Sequence, residues 1–290
     1  MQKARYCLSL IAVAALTCGL GGNIPMGSAN AENGSSTPSQ ITAVYQVSLA
    51  GFNLGDFRLT TAFHGDDYEM HGEARFSVLQ GLIYAWHGIT AGTGHVTSAG
   101  PRPTMYALSY SDSDKSGTRL RMTFDQGDVT AVSIIPNKRP IPHTIPVTKE
   151  QLEDVVDPMS GAFLSAHSDN PNGDLGVCKQ TLQMFDGVAR FDLVITPKRA
   201  VAVKRSTPTG YGGPAVVCGV KFIPIAGYLP DDPGIRLMAE SNEIEVWLMP
   251  VRGTDMYVPY RIVLPTLAGT GAAEVTSLQV SGARRASTEP

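Results

Sequence analysis

The segment ITAVYQVSLAGFNLGDFRLTTAFHG, residues 41–65, decides the fold that we predict for this chain. Along its first half, apolar and polar side chains alternate, and a period of two is typical of a strand with one buried face. Gly51 and Gly55 favour a turn, after which the chain returns as a partner strand. The apolar residues on the predicted buried face are Ile41, Ala43, Tyr45, Val47 and Leu49.

The same alternation of strand and turn continues outward along the chain. Turn-forming residues separate alternating runs at GDD (65–67), DSDKSG (112–117) and FDG (185–187). About a dozen strands result, with turns about every 8–12 residues. We therefore predict a mainly β fold, a single curled antiparallel sheet in the form of a β-barrel or β-spiral.

One stretch, VTKEQLEDVVDPMSGAFLSAH at 147–167, interrupts the strands. Thr148 and Gln151 have the spacing of a capping box, and Asp157 stands directly before a proline, which favours a helix start. We predict one short helical segment near 148–167 that covers the open side of the sheet. The apolar stripe of this predicted helix consists of Met159, Ala162, Phe163 and Ala166.

The first residues have the pattern of an export signal. Lys3 and Arg5 precede an apolar core at 8–20, and Ala29 and Ala31 form a small-residue cleavage site. The apolar core is too short to span a bilayer, which takes about 20 apolar residues. We predict cleavage near Ala31 and a soluble periplasmic product.

Four segments follow from this pattern. They are a signal peptide at 1–31, a disordered linker at 32–40, a single all-β domain at 41–282 and a loose tail at 283–290. A second interpretation stays open, in which the protein is a lipoprotein acylated at Cys18.

The charge of the chain excludes two classes of partner. The formal net charge is −3, and no run of basic residues is present. Binding to nucleic acid or to anionic lipid headgroups relies on such runs. We therefore expect no nucleic-acid partner. No stretch after the signal is long and apolar enough for a membrane-spanning helix, so we also expect no transmembrane segment.

The cysteines predict a disulfide. Cleavage removes Cys7 and Cys18, and the remaining pair, Cys178 and Cys218, lies in an exported and hence oxidising context. A reactive thiol would need a nearby histidine or a helix N-terminus to lower its pKa. A reactive thiol stays an open alternative, because a histidine that is distant in the sequence can contact Cys218 in the folded chain.

Candidate catalytic and metal-binding groups have simpler explanations. His64 and His71 flank the GDD turn, and a metal site would require them to face each other across a hairpin, yet zinc needs three or four ligands and we expect surface or core histidines instead. The paired acids all lie among turn-forming residues, where Asp caps its own backbone. We predict no catalytic residue, no metal, no cofactor and no enzyme. The paired acids are Asp112, Asp114, Asp231 and Asp232.

The most apolar stretch is FSVLQGLIYAWHGITAG, residues 76–92. It predicts either a strand packed in the core or the wall of an apolar cavity, because curled sheets can hold one ligand inside. The residues predicted to line such a cavity are Leu79, Leu82, Ile83, Tyr84 and Trp86.

Five stretches, taken in order, resemble a known family. They are the glycine-rich hairpin of Tyr45, Val47, Gly51 and Gly55, the pair Pro103 and Tyr106, the DPxS set Asp157, Pro158 and Ser160, FDGVARFDL (185–193) and CGVKFIPIAGY (218–228). This set resembles the exported proteobacterial family known as domain of unknown function 3108. The resemblance implies no reaction, and by analogy it implies a curled sheet like those of lipoprotein carriers.

The functional prediction follows from the expected compartment and fold. We expect a non-enzymatic periplasmic β-barrel protein that supports the cell envelope by binding a lipid, another apolar small molecule or an envelope protein. The alternative is a hydrolase or metal-dependent enzyme that acts on envelope material.

Overall fold

The structure, a computed structural model, describes residues 38–78, 84–112, 117–137, 141–165, 174–251 and 256–282. The predicted signal peptide, most of the linker and the tail lie outside these ranges. The strands are β1 (Gln40–Leu49), β2 (Phe52–His64), β3 (Asp67–Val78), β4 (Tyr84–Thr97), β5 (Gly100–Asp112), β6 (Gly117–Asp125), β7 (Asp128–Ile135), β8 (Leu164–Ser165), β9 (Gln180–Phe185), β10 (Arg190–Val203), β11 (Gly213–Ala226), β12 (Glu245–Pro250), β13 (Met256–Thr266) and β14 (Gly269–Ser281), and the helix α1 is Pro233–Glu240.

These strands form one antiparallel sheet. Its order is β7-β6-β5-β4-β3-β2-β1-β14-β13-β12-β11-β10-β9, and the short β8 pairs with β13. The sheet curls without closing, so that β7 and β9 are its two edges. The predicted fold class, a single curled antiparallel sheet, is confirmed.

The alternation seen in the sequence places large apolar side chains on the inner face of the curl. Tyr45 of β1 stacks on Phe57 of β2, with ring centroids 5.4 Å apart. Gly94 on β4 makes room for Tyr68, since a Cβ there would lie 2.3 Å from the Tyr68 hydroxyl. The described part of the interior is therefore filled. Its core includes Ile41, Leu59, Phe63, Met70, Tyr106, Met122 and Val275, all of them buried.

The segment predicted as one helix near 148–167 contains two separate 3-10 turns instead, at Glu150–Leu152 and Ser160–Ala162. The predicted capping residues form local contacts, since Gln151 Oε1 accepts from the Thr148 N–H at 3.0 Å and Asp157 accepts from the Ser160 N–H at 3.1 Å, but the N-caps of the two turns are Lys149 and Met159. The helix prediction was wrong because the residues between the turns bond to the sheet. We call 150–163 the plug segment, since its Val155, Met159 and Phe163 side chains are buried in the interior core.

The one α-helix among the described residues lies elsewhere. Asp232, predicted as a turn residue, caps α1 by accepting from the N–H groups of Gly234 (2.8 Å) and Ile235 (3.0 Å). Met238 on this helix is buried with Phe222 and Ile244. No helix within the described ranges is long and apolar enough to cross a membrane.

Candidate functional site

The two edges of the sheet differ in what covers them. At the β9 edge, the Val156 N–H donates to the Gln183 carbonyl at 2.8 Å, and the Phe185 N–H donates to the Val156 carbonyl at 3.0 Å. Val156 thus adds a parallel bridge to β9. The plug thereby occupies the Gln183–Phe185 part of this edge, which hinders the addition of a foreign strand there.

A buried arginine holds the plug segment against this edge. Arg190 is only 4% exposed. Its Nε donates to the Gln151 carbonyl at 3.0 Å, and its two terminal nitrogens donate to Asp192 Oδ1 (2.5 Å) and Gln183 Oε1 (2.6 Å). Because every one of these partners accepts from the guanidinium, its burial is compensated.

The plug segment also reaches the other end of the sheet, at the β6–β7 turn. The Val155 N–H donates to the Gly127 carbonyl at 3.0 Å, and the Asp154 N–H donates to Asp128 Oδ1 at 2.9 Å. Arg102 of β5 forms an ion pair with Asp154. The plug therefore bridges the two ends of the open sheet, but at the β7 end its hydrogen bonds among the described residues reach only Gly127 and Asp128, the first residue of β7.

A buried carboxylate anchors the plug in the interior. Asp157 is fully buried, and its Oδ1 accepts from the N–H groups of Met159 (2.8 Å) and Ser160 (3.1 Å). The Ser160 hydroxyl donates to Asp157 Oδ2 at 2.5 Å and lies 2.7 Å from the Tyr68 hydroxyl. Burial raises the pKa of Asp157, and it also raises the pKa of Tyr68 and of Tyr106.

The β7 edge has no comparable cover among the described residues. Its only strand partner there is β6. The Val132 side chain is 40% exposed and the Ile135 side chain 58% exposed. Residues 129–135, VTAVSII, carry no charge. Natural sheets protect such edges with charges, prolines or covering loops, and here a charge and a proline stand only at the two ends of the run, at Asp128 and Pro136.

A cleft of about 240 Å³ lies beside this edge. One row of directly paired residues crosses it from the sheet interior to the edge, in the order Ile89, Ser109, Arg119 and Ile135. His87 also lines the cleft, and none of the described lining side chains is a carboxylate. Arg119 thus places a positive charge beside the exposed Ile135 at this edge.

The predicted apolar cavity falls mostly outside the described residues. Leu79, Leu82 and Ile83 lie outside them, and Tyr84 is described only as the first residue of β4. Trp86 is buried and stacks between Phe76 and Tyr110, with ring centroids 5.4 and 5.7 Å away. Trp86 therefore belongs to a packed cluster, and the cavity itself stays a prediction.

The two cysteines predicted to pair lie at disulfide distance. The Sγ atoms of Cys178 and Cys218 are 2.04 Å apart, and both residues are fully buried. They join the segment before β9 to β11 and belong to a buried cluster that includes Leu248 and Tyr257.

The histidine pair does not form. His64 lies opposite Asp67, whereas His71 lies opposite Thr60, so the two rings are separated along the hairpin. The alternative in which they face each other is excluded by the register of the hairpin, which places Asp67 across from His64. His95 Nδ1 instead contacts Asp67 Oδ1 at 2.5 Å. Within the described ranges, no group of three or more candidate metal ligands is found.

The paired acids also stay apart. Asp112 ends β5 and Asp232 caps α1, while Asp114 lies outside the described residues. Sequence reasoning missed the edge at β7, because the uncharged run VTAVSII does not by itself distinguish an edge strand from a central one.

Residues 44–276 match the family described as "Protein of unknown function (DUF3108)". The chain belongs to the DUF3108 family. No curated protein matches the sequence. Among solved structures, the DUF3108 chain is similar to a beta-barrel-like protein of domain of unknown function DUF1849 from Brucella abortus. The identity is 10%, the TM-score is 0.49, and the similarity covers 84% of this chain and 99% of that chain.

Proposed function

We propose that this protein is a non-enzymatic, exported component of the cell envelope that binds a protein partner along the β7 edge. The observation that carries the proposal is the difference between the edges. The plug segment bonds to β9, whereas the backbone of β7 has only β6 as a strand partner in the described chain. An extended segment of a partner can add to such an edge through main-chain hydrogen bonds.

Two further features support a surface site over an interior one. The described interior is filled by the plug segment and by buried side chains such as Met70 and Met122. The exposed Val132 and Ile135 side chains would lose their contact with water when a strand is added. A protein partner is thus favoured over a lipid held inside the curl.

Site-specific photo-crosslinking tests the proposal. A photoreactive residue at Ser133 of β7 is compared with one at Val280 of β14, which is 50% exposed and away from both edges. In the envelope fraction, we expect discrete protein adducts from position 133 and none from position 280. Equal adducts from both positions, or none from position 133, would overturn the proposal.

Cell fractionation with mass measurement of the chain tests the proposed export. We expect the periplasmic fraction to hold a chain whose mass corresponds to a start at Glu32, after cleavage near Ala31. A full-length chain in the cytoplasm would contradict export. A lipid-modified chain that starts at Cys18 would support the lipoprotein alternative instead.

A further inference from the structure

We propose that the cleft beside β7 selects partners by binding an acidic side chain of the added strand, with Arg119 as its cationic partner. This inference rests on the proposed function and specifies the partner. The partner is an extended segment of a different protein, apolar on the face that continues the core and acidic at one position on the outer face.

The geometry of the sheet places that position. Arg119 lies opposite Ile135 in the β6–β7 pair, and Ile135 is the last residue of β7. A strand added to β7 continues this row, so one of its residues lies next to Ile135. Two strand spacings, about 10 Å, then separate its Cα from that of Arg119. A glutamate and an arginine, both long side chains, can meet across this gap over Ile135.

The charges at the cleft favour an acid there. Arg119 and Arg121 alternate on the exposed face of β6, next to the uncharged residues 129–135 of β7. A guanidinium keeps its charge at every physiological pH and presents several donors to a carboxylate. The serine hydroxyls of Ser109 and Ser111 also line the cleft, and they offer further hydrogen bonds to a carboxylate.

The sequence of β7 disfavours a second copy of this chain as the occupant. The register shift between Thr123 and Phe124 limits the regular part of β7 to about 131–135. Two copies paired antiparallel over that segment would have their two-fold axis at Ser133. Ala131 of the second copy would then lie next to Ile135, and residues 129–135 carry no carboxylate that could pair with Arg119.

Two synthetic peptides test the inference. Each is an alternating Thr/Val strand with a fluorescent label, and the central residue is Glu in one and Gln in the other. Binding is measured by anisotropy, and hydrogen exchange reports whether β7 amides become protected. We expect the Glu peptide to bind about fivefold more tightly, which is the size of a partly exposed ion pair. Added salt should reduce the difference.

Two variants with the same change of charge locate the effect. Arg119→Gln should abolish the preference for Glu over Gln, whereas Arg121→Gln, two residues along the same exposed face, should retain most of it. If both peptides protect β7 but bind equally, or if the two variants behave alike, the cleft inference fails and edge binding stands. If neither peptide protects β7, the proposed function fails with it. Dimers of the protein that protect β7 without peptide would also overturn the choice of partner.

Discussion

The β9 and β7 edges belong to the same sheet and have the same backbone chemistry, yet one is closed and the other open. At β9, Val156 pairs with the strand and Arg190 ties the plug to it. At β7, the hydrogen bonds of the plug among the described residues reach only Gly127 and Asp128, at the start of the strand. Within the described ranges the sheet is thus covered at β9 and uncovered along the rest of β7, and this contrast is why we propose β7 as the binding edge.

Buried polar side chains hold the plug segment in place. Arg190 holds the plug at β9 and the fully buried Asp157 anchors it in the interior, while the cysteine pair joins the segment before β9 to β11; residues 129–135 of β7 carry small or apolar uncharged side chains instead. Unpaired buried polar groups are costly, so each of these residues should matter for stability. Changes at β9 should therefore destabilise the fold, and changes at β7 should not.

The largest effect is expected from removing the disulfide. The double variant Cys178→Ala/Cys218→Ala frees a loop with a sequence separation of 40 residues. In the chain-entropy model this lowers the free energy of unfolding by about 4 kcal/mol. Denaturant unfolding measures the loss, and reduction of the unmodified protein should produce the same shift. If a reductant leaves the free energy of unfolding of the unmodified protein unchanged, the pair is not bonded.

The next largest effect is expected at the arginine that holds the plug. Arg190→Ala leaves Asp192 without its ion-pair partner and the Gln151 carbonyl without its donor. We expect a loss of about 3 kcal/mol in the free energy of unfolding, as when one member of a buried pair is removed. The exposed Arg121→Ala serves as the control and should change this free energy by less than about 0.5 kcal/mol. Equal losses would contradict the assignment of Arg190 as the clamp.

A smaller effect, with a pH dependence, is expected at Asp157. Asp157→Ala removes the acceptor for Met159 and Ser160 and should cost about 2 kcal/mol. Asp157→Asn keeps an acceptor and should cost less. Chemical unfolding at several pH values measures both changes.

The direction of the pH dependence follows from the raised pKa of Asp157. The folded protein binds this proton more tightly than the unfolded chain, whose Asp titrates near about 3.9. The resulting stability is complete below that pH and is lost as the pH rises through the folded pKa. The Asp157→Asn variant should lack this slope, except for the share due to Asp186, whose pKa burial also raises. An unchanged slope would contradict the contribution of Asp157.

The sequence predicted the sheet better than its edges, for a physical reason. Alternation in 41–65 is a local pattern that one buried face imposes on each strand. The contacts of Thr148 and Asp157 are also local, and both were predicted. Whether a capped turn extends into a helix depends on distant partners. After Leu152 the chain turns extended and bonds to Gly127 and Gln183.

The helix that does form carries the same local signal. Asp232 before Pro233 repeats the pattern of Asp157 before its proline, but the residues after it remain helical and bury Met238. The candidate site was missed for a related reason. A run such as VTAVSII has the same pattern in a central strand as at an edge, and only the strand order places it at an edge.

The smallest effect on stability is expected at β7 itself. Ile135→Lys changes a side chain that is 58% exposed, so the free energy of unfolding should change by less than about 0.5 kcal/mol. A lysine on an edge strand nevertheless disfavours strand addition, so photo-crosslinking from Ser133 should fall. Val280→Lys, the same kind of change on an interior strand, should leave crosslinking intact. If Ile135→Lys lowers the free energy of unfolding as much as the changes around β9 do, β7 is needed for stability and the proposed contrast between the two edges is wrong.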